Sequence, residues 1–149
     1  MPRTTIILDQ HTVLEMHIHA LSAFPEECCG LLLGKFEDGS NRKLAKRSKR
    51  MENMSEKEER YQRYMIDPMR YMKEEKKASS MGEDVIGIYH SHPDAPAKPS
   101  LFDRNYAWPS LSYVIIEVRG SKPTKTQSWI LNEDRTKFLT EVMEIQRGK

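Results

Sequence analysis

The chain has 149 residues, with 24 lysines and arginines, 22 aspartates and glutamates and a formal net charge of +2 at pH 7. This length suits one domain with one core, which we place at residues 1–149. No stretch is long and apolar enough to span a bilayer, and the polar start from Met1 to Thr5 lacks the hydrophobic character of a signal segment. We therefore expect a cytoplasmic protein without membrane contact.

The first half of the chain is predicted to form a strand, a helix and a hairpin. Thr4 to Leu8 is short and β-branched, and Gln10 to Ala23 follows a rough helical period behind Asp9 as its N-cap. Cys29 to Phe36 is an apolar run typical of a core strand. The turn cluster from Glu37 to Asn41 then predicts a hairpin between this strand and the segment that follows.

The segment from Arg42 to Arg50 is strongly basic, and Leu44 is its one strongly apolar residue. A strand here would be an edge strand or would have a solvated face. A docking patch for an acidic protein is the functional interpretation, and nucleic acid is another candidate partner. No recognition motif or interleaved aromatic residue accompanies the charge, and acidic residues follow at once. We expect a solvated face and no nucleic-acid partner.

A loop, a short strand and a helix are predicted next. Met51 to Gln62 is polar and mixed in charge, whereas Arg60 to Ile66 alternates as a strand does. Asp67 can cap a helix with Pro68 in its first turn, and that helix is expected to end near Ser80. The many methionines are typical of an adaptable binding surface or of a core, and we expect a core.

The last part of the chain is dominated by strands. Ser112 to Val118 is the clearest strand, and Thr126 to Leu131 is its predicted antiparallel neighbour across a turn at Gly120 to Pro123. The tail around Phe138 to Met143 fits either a helix or a strand. The order of elements implies an α+β domain with a mainly antiparallel sheet flanked by helices.

Two groups of residues that often carry chemistry are expected to be structural. The neighbours Cys28 and Cys29 are poorly placed to bridge each other, so they predict two buried thiols. His11, His17 and His19 lie on or near the first helix without the i, i+4 spacing of a helical ligand pair. We expect surface or boundary histidines there.

Metal chemistry is predicted after the apolar run from Val85 to Ile88. His90 and His92 are two residues apart, so on a strand they point to the same face. Prolines end the strand, and Ser100 is a good N-cap for a helix that runs to about Trp108. Asp103 lies in the first turn of that helix, where it can swing back to the histidines.

Two imidazoles and a carboxylate are a ligand set that Zn2+ accepts, with a fourth position left for water. Zinc lowers the pKa of that water and polarises a substrate carbonyl. The site still needs a proton acceptor that is not a ligand, and Glu27, just before the core strand, is the best candidate. Glu26 is expected to be an ordinary surface carboxylate.

Three elements of the sequence together resemble the JAMM motif of MPN-domain metallopeptidases: Glu27, His90-x-His92-Pro93 and Ser100-x-x-Asp103. The segment from Pro25 to Gly34 is similar to the small prokaryotic branch, which includes enzymes that process ubiquitin-fold sulfur carriers. The resemblance covers nearly the whole chain, and the combined motif is highly specific.

The resemblance implies the MPN, or cytidine-deaminase-like, fold and a set of residue roles. His90, His92 and Asp103 would be the zinc ligands. Glu27 would be the general base and proton shuttle, and Ser100 would hydrogen-bond the oxyanion of the tetrahedral intermediate.

The activity implied is that of a zinc-dependent peptidase or isopeptidase acting on the C-terminal tail of a ubiquitin-fold protein. Deubiquitinase-like cleavage of a conjugate, release of cysteine from a sulfur-carrier protein and maturation of a carrier precursor stay open. The tail would lie extended and could add to a sheet edge. The oligomeric state also stays open, with the basic stretch or a strand edge as a homodimer contact.

Three other interpretations fit the sequence less well. The pattern His90-x-His92-x-Asp94 begins like the signature of metallo-β-lactamase-like enzymes, but Ala95 stands where its closing histidine belongs. Many MPN domains are non-catalytic scaffolds that lack the ligands, whereas here all of them are present. A His-x-His pair alone can be merely structural, but the further matched positions argue against coincidence.

Overall fold

Seven strands form one closed sheet in the computed structural model, which describes residues 4–37, 39 and 41–147. The elements in chain order are β1 (Thr5–Asp9), α1 (Gln10–Ala23), β2 (Cys29–Phe36), β3 (Arg42–Met51), a 3-10 helix (Lys57–Glu59), α2 (Pro68–Ser80), β4 (Asp84–Pro93), α3 (Leu101–Asn105), β5 (Ser112–Arg119), β6 (Lys122–Leu131) and β7 (Phe138–Gln146). Neighbouring strands follow the order β1-β3-β2-β4-β5-β6-β7, and β7 pairs with β1 to close the ring.

The sheet is mixed. The pairings β1 with β3, β1 with β7 and β4 with β5 are parallel, and the other four are antiparallel. The α+β class and the predominance of antiparallel pairing are confirmed. The cytidine-deaminase-like arrangement is matched only in part, because the sheet closes into a ring. The tail that fitted either helix or strand supplies the closure: β7 pairs with both β1 and β6.

Helix α1 covers one side of the ring and has the predicted bounds. The carboxylate of Asp9 accepts a hydrogen bond from the backbone N–H of Thr12 at 2.7 Å, which satisfies one of the free donors at the helix start. Met16 and Ala20 are fully buried against the strands, in an apolar cluster that also contains Tyr89. Burial of a side chain the size of methionine contributes about 1.5–3 kcal/mol to folding.

Helix α2 packs on the opposite side of the ring but buries little of its own surface. Asp67 caps it through the N–H of Arg70, Pro68 is its first residue, and it ends at Ser80 as predicted. Ala78 is its one buried residue. An apolar helix face is therefore left largely uncovered.

The prediction that the methionines fill the core is wrong. Of the methionines that the structure describes, Met16 and Met51 are buried, whereas Met69 and Met72 on α2 are 72% and 60% exposed. The reason is that α2 touches the sheet mainly through Ala78, so its longer side chains extend away from the sheet.

Strand β4 carries the predicted histidines and is hydrogen-bonded along both edges. It pairs with β2 on one side and with β5 on the other. A bulge leaves Ile86 without a partner in β2, and Ile86 and Tyr89 both join the cluster under α1. Ile88 belongs to the other apolar cluster, and His90 and His92 share its side of the strand, as the sequence predicts.

The basic stretch forms β3, as predicted, but β3 is not an edge strand. It pairs with β1 and with β2. Lys46 and Lys49 keep a solvated face, whereas Lys43 is buried. Its ammonium group donates to the hydroxyl of Ser112 at 2.8 Å and lies 3.5 Å from a carboxylate oxygen of Glu141.

Two smaller predictions also fail. Arg60 to Ile66 forms no strand; it follows the 3-10 helix as irregular backbone, and its aromatic residue Tyr64 points towards His90. Helix α3 ends at Asn105, before the predicted Trp108. Within the described part of the chain, no helix is long and apolar enough to cross a membrane.

Candidate metal centre

His90, His92 and Asp103 converge on one buried point at the end of β4. The Nε2 atoms of the two histidines are 3.2 Å apart, and they lie 3.3 Å and 3.2 Å, respectively, from Oδ2 of Asp103. Ligands held about 2.0–2.1 Å from a tetrahedral zinc ion would be roughly 3.3–3.4 Å from one another. The triangle of donor atoms therefore has the size that such an ion requires.

The loop and helix after β4 hold two corners of this triangle. The carbonyl oxygen of Pro96 lies 2.7 Å from Nδ1 of His92, and because a carbonyl only accepts, Nδ1 carries the proton and Nε2 keeps its lone pair. Oδ2 of Asp103 accepts from the N–H of Ser100 at 2.9 Å, while Oγ of Ser100 accepts from the N–H of Asp103 at 3.0 Å. This capping box fixes the carboxylate at the start of α3.

The third corner, His90, is held differently. It is fully buried, and its Nδ1 has no hydrogen-bond partner among the described residues. Its ring instead lies against that of Tyr64, with the centroids 4.4 Å apart and the planes 26° from parallel.

Glu27 lies beside the triangle, in the turn before β2. Its carboxylate is buried, its Oε1 has no hydrogen-bond partner within the described chain, and one carboxylate oxygen lies within 4.8 Å of the ring nitrogens of His90 and His92. Its backbone is fixed on both sides, because its N–H donates to the carbonyl of Arg60 at 2.7 Å and its carbonyl accepts from the side chain of Asn53 at 3.0 Å.

The electrostatics of the centre favour a cation. Burial, and then the charge of Asp103, raises the pKa of Glu27 to about 9. Burial alone would also raise the pKa of Asp103, but its contacts with His90 and His92 outweigh burial and hold that pKa well below its usual range. Burial lowers the pKa of His90. Two carboxyl groups and two imidazoles therefore share a buried space, and a positive ion there would favour the ionised form of both carboxyl groups.

Two ligand sets are geometrically available to that ion. Glu27, His90 and His92 form one group of donor atoms within 4.8 Å of one another. Asp103 also lies beside both imidazole nitrogens, with Oδ2 at 3.2–3.3 Å from them. Either carboxylate can therefore complete a set of three donors with the two imidazoles.

The histidines expected to be structural lie elsewhere. Nε2 of His17 is 2.9 Å from the hydroxyl of Thr126, and Nδ1 of His19 is 2.7 Å from that of Tyr89, on the α1 side of the sheet. Burial, and then Arg50, lowers the pKa of His19 to about 4, so at neutral pH the ring is uncharged and its Nδ1 shares a hydrogen bond with the tyrosine hydroxyl. The expectation of boundary histidines is met at these two positions.

The two cysteines are buried and unbridged, as expected. Burial raises the pKa of Cys28 to about 11, and it also raises the pKa of Cys29. Thiols of this kind stay protonated and unreactive at neutral pH.

A large apolar cavity of about 1460 Å³ opens beside Asp103. It is lined by residues of the segment before α2, of α2, of β4 and of α3, among them Tyr64, Ile66, Met69, Met72, Phe102 and Trp108. Cavities of this character commonly bind the apolar part of a ligand while a few polar groups orient it.

Sequence reasoning missed Tyr64 and Asn53. Tyr64 was assigned to a strand because apolar residues alternate around it, whereas in the structure it covers His90. Asn53 lay in a polar stretch without a distinguishing pattern. Its role depends on contacts with Glu27 and Arg63, which local sequence does not encode.

Comparison with known proteins gives related sequences over most of the chain. A family model described as prokaryotic homologs of the JAB domain matches residues 9–132. A protein of Pyrococcus furiosus named desampylase is 31% identical over 132 residues, which cover 87% of this chain and 84% of that protein. A desampylase of Haloferax volcanii is 38% identical over 56 residues, which cover 37% of this chain and 40% of that protein.

Solved structures show the same architecture. The solution structure of a Desulfitobacterium hafniense protein matches with a TM-score of 0.82 at 30% identity, covering 96% of this chain and 94% of that one. The solution structure of a Salinibacter ruber protein matches with a TM-score of 0.67 at 34% identity, covering 95% and 91%.

Proposed function

The chain belongs to the family of prokaryotic homologues of the JAB domain, and from that premise we propose that it is a zinc-dependent peptidase or isopeptidase. Its substrate would be an amide bond at the C-terminal tail of a ubiquitin-fold protein, a sulfur carrier or a conjugate of either. The observation that carries the proposal is the buried triangle of His90, His92 and Asp103, with the unpaired carboxylate of Glu27 beside it. Two relatives with the enzyme name desampylase support it.

In this proposal His90, His92 and Asp103 hold Zn2+. When bound, zinc supplies an acidified water and a polarised substrate carbonyl. The donor set suits this metal, because imidazole nitrogens and a carboxylate oxygen are common zinc ligands. The hydrogen bonds from His92 to Pro96 and from Ser100 to Asp103 keep two of the three ligands in place before the metal arrives.

Glu27 is proposed to move the proton. Its free Oε1 can accept a proton from the attacking water, and the same carboxyl can then donate it to the departing amine. Its raised pKa, about 9, keeps the protonated form stable enough to act as the acid. A neighbouring cation favours the ionised form that the first step needs.

Ser100 is proposed to stabilise the oxyanion. Its Oγ already accepts a hydrogen bond from the N–H of Asp103, so its hydroxyl proton is free to be donated. Such a donor is commonly worth about 2.7–4 kcal/mol in the transition state. The same side chain would thus cap α3 and donate to the oxyanion.

The apolar cavity beside Asp103 is the proposed binding site for the extended tail of the substrate. The sheet is closed, but residues 47–51 of β3 and 122–127 of β6 pair on one side only within the described chain, so addition of the tail to one of these edges stays an alternative. The exposed methionines Met69 and Met72 at this cavity can adapt to different side chains. Binding here would rest on side-chain contacts rather than on strand pairing.

The experiment is hydrolysis of a ubiquitin-fold sulfur carrier that bears a C-terminal amide extension, followed by intact mass. Cleavage after the terminal Gly-Gly is expected with the zinc-loaded wild type. It should be lost after chelation, return when zinc is added back, and be lost in Glu27→Gln. Glu26→Gln, which changes the less buried neighbouring carboxylate, is the matched control and should cleave normally.

The zinc content of Glu27→Gln decides its role. Zinc retained with activity lost supports a base, whereas zinc lost with activity would make Glu27 a ligand. If the wild type binds zinc and cleaves no carrier, conjugate or precursor, the alternative of a non-catalytic MPN scaffold is favoured.

A further inference from the structure

The two histidines of the candidate metal centre are oriented by different means. Histidines that bind metals usually donate their second ring N–H to an acceptor, which fixes the plane of the ring. His92 follows this rule, with Nδ1 2.7 Å from the carbonyl of Pro96. His90 does not, because its Nδ1 is buried and has no hydrogen-bond partner among the described residues.

The ring of Tyr64 occupies the face of His90. Its centroid is 4.4 Å from that of the imidazole and the two planes differ by 26°, which is a stacked pair. The ring of His92 is farther from that of His90, with the centroids 5.0 Å apart, and the two planes are tilted by 58°. A stacked aromatic neighbour restricts rotation of the imidazole about χ2, and aromatic pairs contribute about 0.5–1.5 kcal/mol beyond their buried area.

We propose that Tyr64 is a positioning residue for the metal centre. Its ring holds the imidazole of His90 by stacking, in place of the missing hydrogen bond, so that Nε2 points to the metal position. This inference rests on the proposed function, because it assigns Tyr64 to the same centre.

Tyr64 is itself held by Asn53. The side-chain N–H groups of Asn53 donate to the carbonyls of Arg63 at 2.9 Å and of Glu27 at 3.0 Å, and its Oδ1 accepts from the N–H of Met65 at 3.2 Å. The backbone groups on both sides of Tyr64 are therefore hydrogen-bonded to the side-chain amide of Asn53. That amide also binds the backbone of Glu27, so the stacking ring and the proposed base have a fixed relation.

The side chain of Arg63, the residue before Tyr64, is also held in place. The guanidinium of Arg63 lies 4.7 Å from the ring centroid of Phe102 on α3, the helix that carries Asp103. Stacking by Tyr64 requires its ring but not its hydroxyl. Phenylalanine should therefore replace tyrosine here, whereas an aliphatic residue should not.

The test compares metal binding by the wild type, Tyr64→Phe, Tyr64→Leu and Tyr71→Leu. Tyr71 is the matched control, because it is also half-buried and packs on the same apolar cluster as Tyr64 but makes no recorded contact with His90. Zinc affinity is measured by chelator competition, and the ligand geometry by the visible absorption of the Co2+-loaded protein. Circular dichroism of the metal-free proteins checks that each variant is folded.

Tyr64→Leu is expected to weaken metal binding roughly 10- to 100-fold, as other losses of orienting contacts do, and to change the Co2+ spectrum. Tyr64→Phe should restore both properties, and Tyr71→Leu should leave both unchanged. If Tyr64→Leu does not fold, Tyr64→Ile takes its place.

Wild-type affinity and spectrum in folded Tyr64→Leu would overturn the inference while leaving the proposed function intact. It would also be overturned if Tyr64→Phe were as weak as Tyr64→Leu, since the hydroxyl would then be responsible. If Tyr71→Leu weakened zinc binding as much as Tyr64→Leu does, the inference would also be overturned, because the loss would come from a general loosening of the apolar cluster. A wild type that binds no metal would remove the proposed function together with this inference.

Discussion

The candidate metal centre and the Lys43–Glu141 pair are two buried polar clusters in one fold, and they differ in how their charges are compensated. The ammonium of Lys43 lies 3.5 Å from Glu141, so a positive and a negative group neutralise each other. In the metal centre two carboxyl groups, Glu27 and Asp103, lie beside imidazoles, and neither forms an ion pair with a lysine or arginine of the described chain.

The surrounding hydrogen bonds differ in the same way. Glu141 accepts from Ser128 at 2.7 Å and from Thr4 at 2.5 Å, and Lys43 donates to Ser112 at 2.8 Å. In contrast, Oε1 of Glu27 and Nδ1 of His90 have no hydrogen-bond partner within the described chain. A cluster whose polar groups bond one another is typical of a structural role, whereas buried groups without partners are more typical of a functional site.

The largest expected effect is loss of the metal in His92→Ala. Removing one corner of the donor triangle should abolish both stoichiometric zinc and measurable hydrolysis, because two ligands remain. His19→Gln changes a partly buried histidine on the α1 side and should keep both. Elemental analysis of the purified proteins makes the comparison, and one zinc per chain in His92→Ala would contradict the ligand assignment.

The second prediction concerns the ion pair. Glu141→Ala leaves the buried ammonium of Lys43 without its counter-charge and should lower the free energy of unfolding by about 3–5 kcal/mol. Zinc binding by the folded fraction should be unchanged. Urea unfolding measures the loss, and the double variant Lys43→Met, Glu141→Leu should recover most of it. No recovery would mean that the cluster contributes more than charge compensation.

The third prediction, for Ser100→Ala, distinguishes the role of Ser100 as a helix cap from its proposed role as an oxyanion donor. Loss of the oxyanion donor should reduce the rate roughly 10²- to 10³-fold. Loss of the helix cap should cost only about 0.5–2 kcal/mol of stability. Ser100→Thr keeps a hydroxyl and is the matched control. If the rate of the alanine variant equals that of the wild type, Ser100 is a cap alone.

The last prediction is a pH-dependent difference in the stability of the metal-free protein. The pKa of Glu27 is raised from 4.5 to about 9, so the folded state keeps a proton that the unfolded chain releases in this interval. The wild type should therefore lose stability as the pH rises from 4.5 towards 9, relative to Glu27→Gln, which does not titrate. Denaturation in chelator at several pH values measures this, and a constant difference would show that the pKa is not raised.

Local rules predicted the elements that depend on neighbours in sequence. The caps Asp9 and Asp67, the bounds of α1 and the strand that carries the histidines follow from short patterns. Closure of the ring could not be predicted in this way, because it pairs Thr5 with Val142 across almost the whole chain. Burial of Lys43 has the same origin, since its partner Glu141 lies on the closing strand.

The candidate site also contains residues that the sequence predicted and residues that it did not. The motif named the residues that the structure brings together, since their spacing reflects a strand end and a helix start. The residues that orient them were not predicted. Tyr64 and Asn53 act through stacking and through one branched amide contact, and neither has a local signature. The alternating polarity of Arg60 to Ile66 predicts a strand at Tyr64, whereas Asn53 lies in the polar stretch that is predicted to be a loop.

The double pairing of β4 also has a kinetic consequence. At His90 the strand lies between Cys29 of β2 and Ile115 of β5, so no edge of it can fray independently. Amide hydrogens in this part of β4 should exchange with deuterium only when the whole ring opens, on the slowest timescale of the protein. A metal ion could then leave and return many times while the strand that presents the imidazoles stays in place.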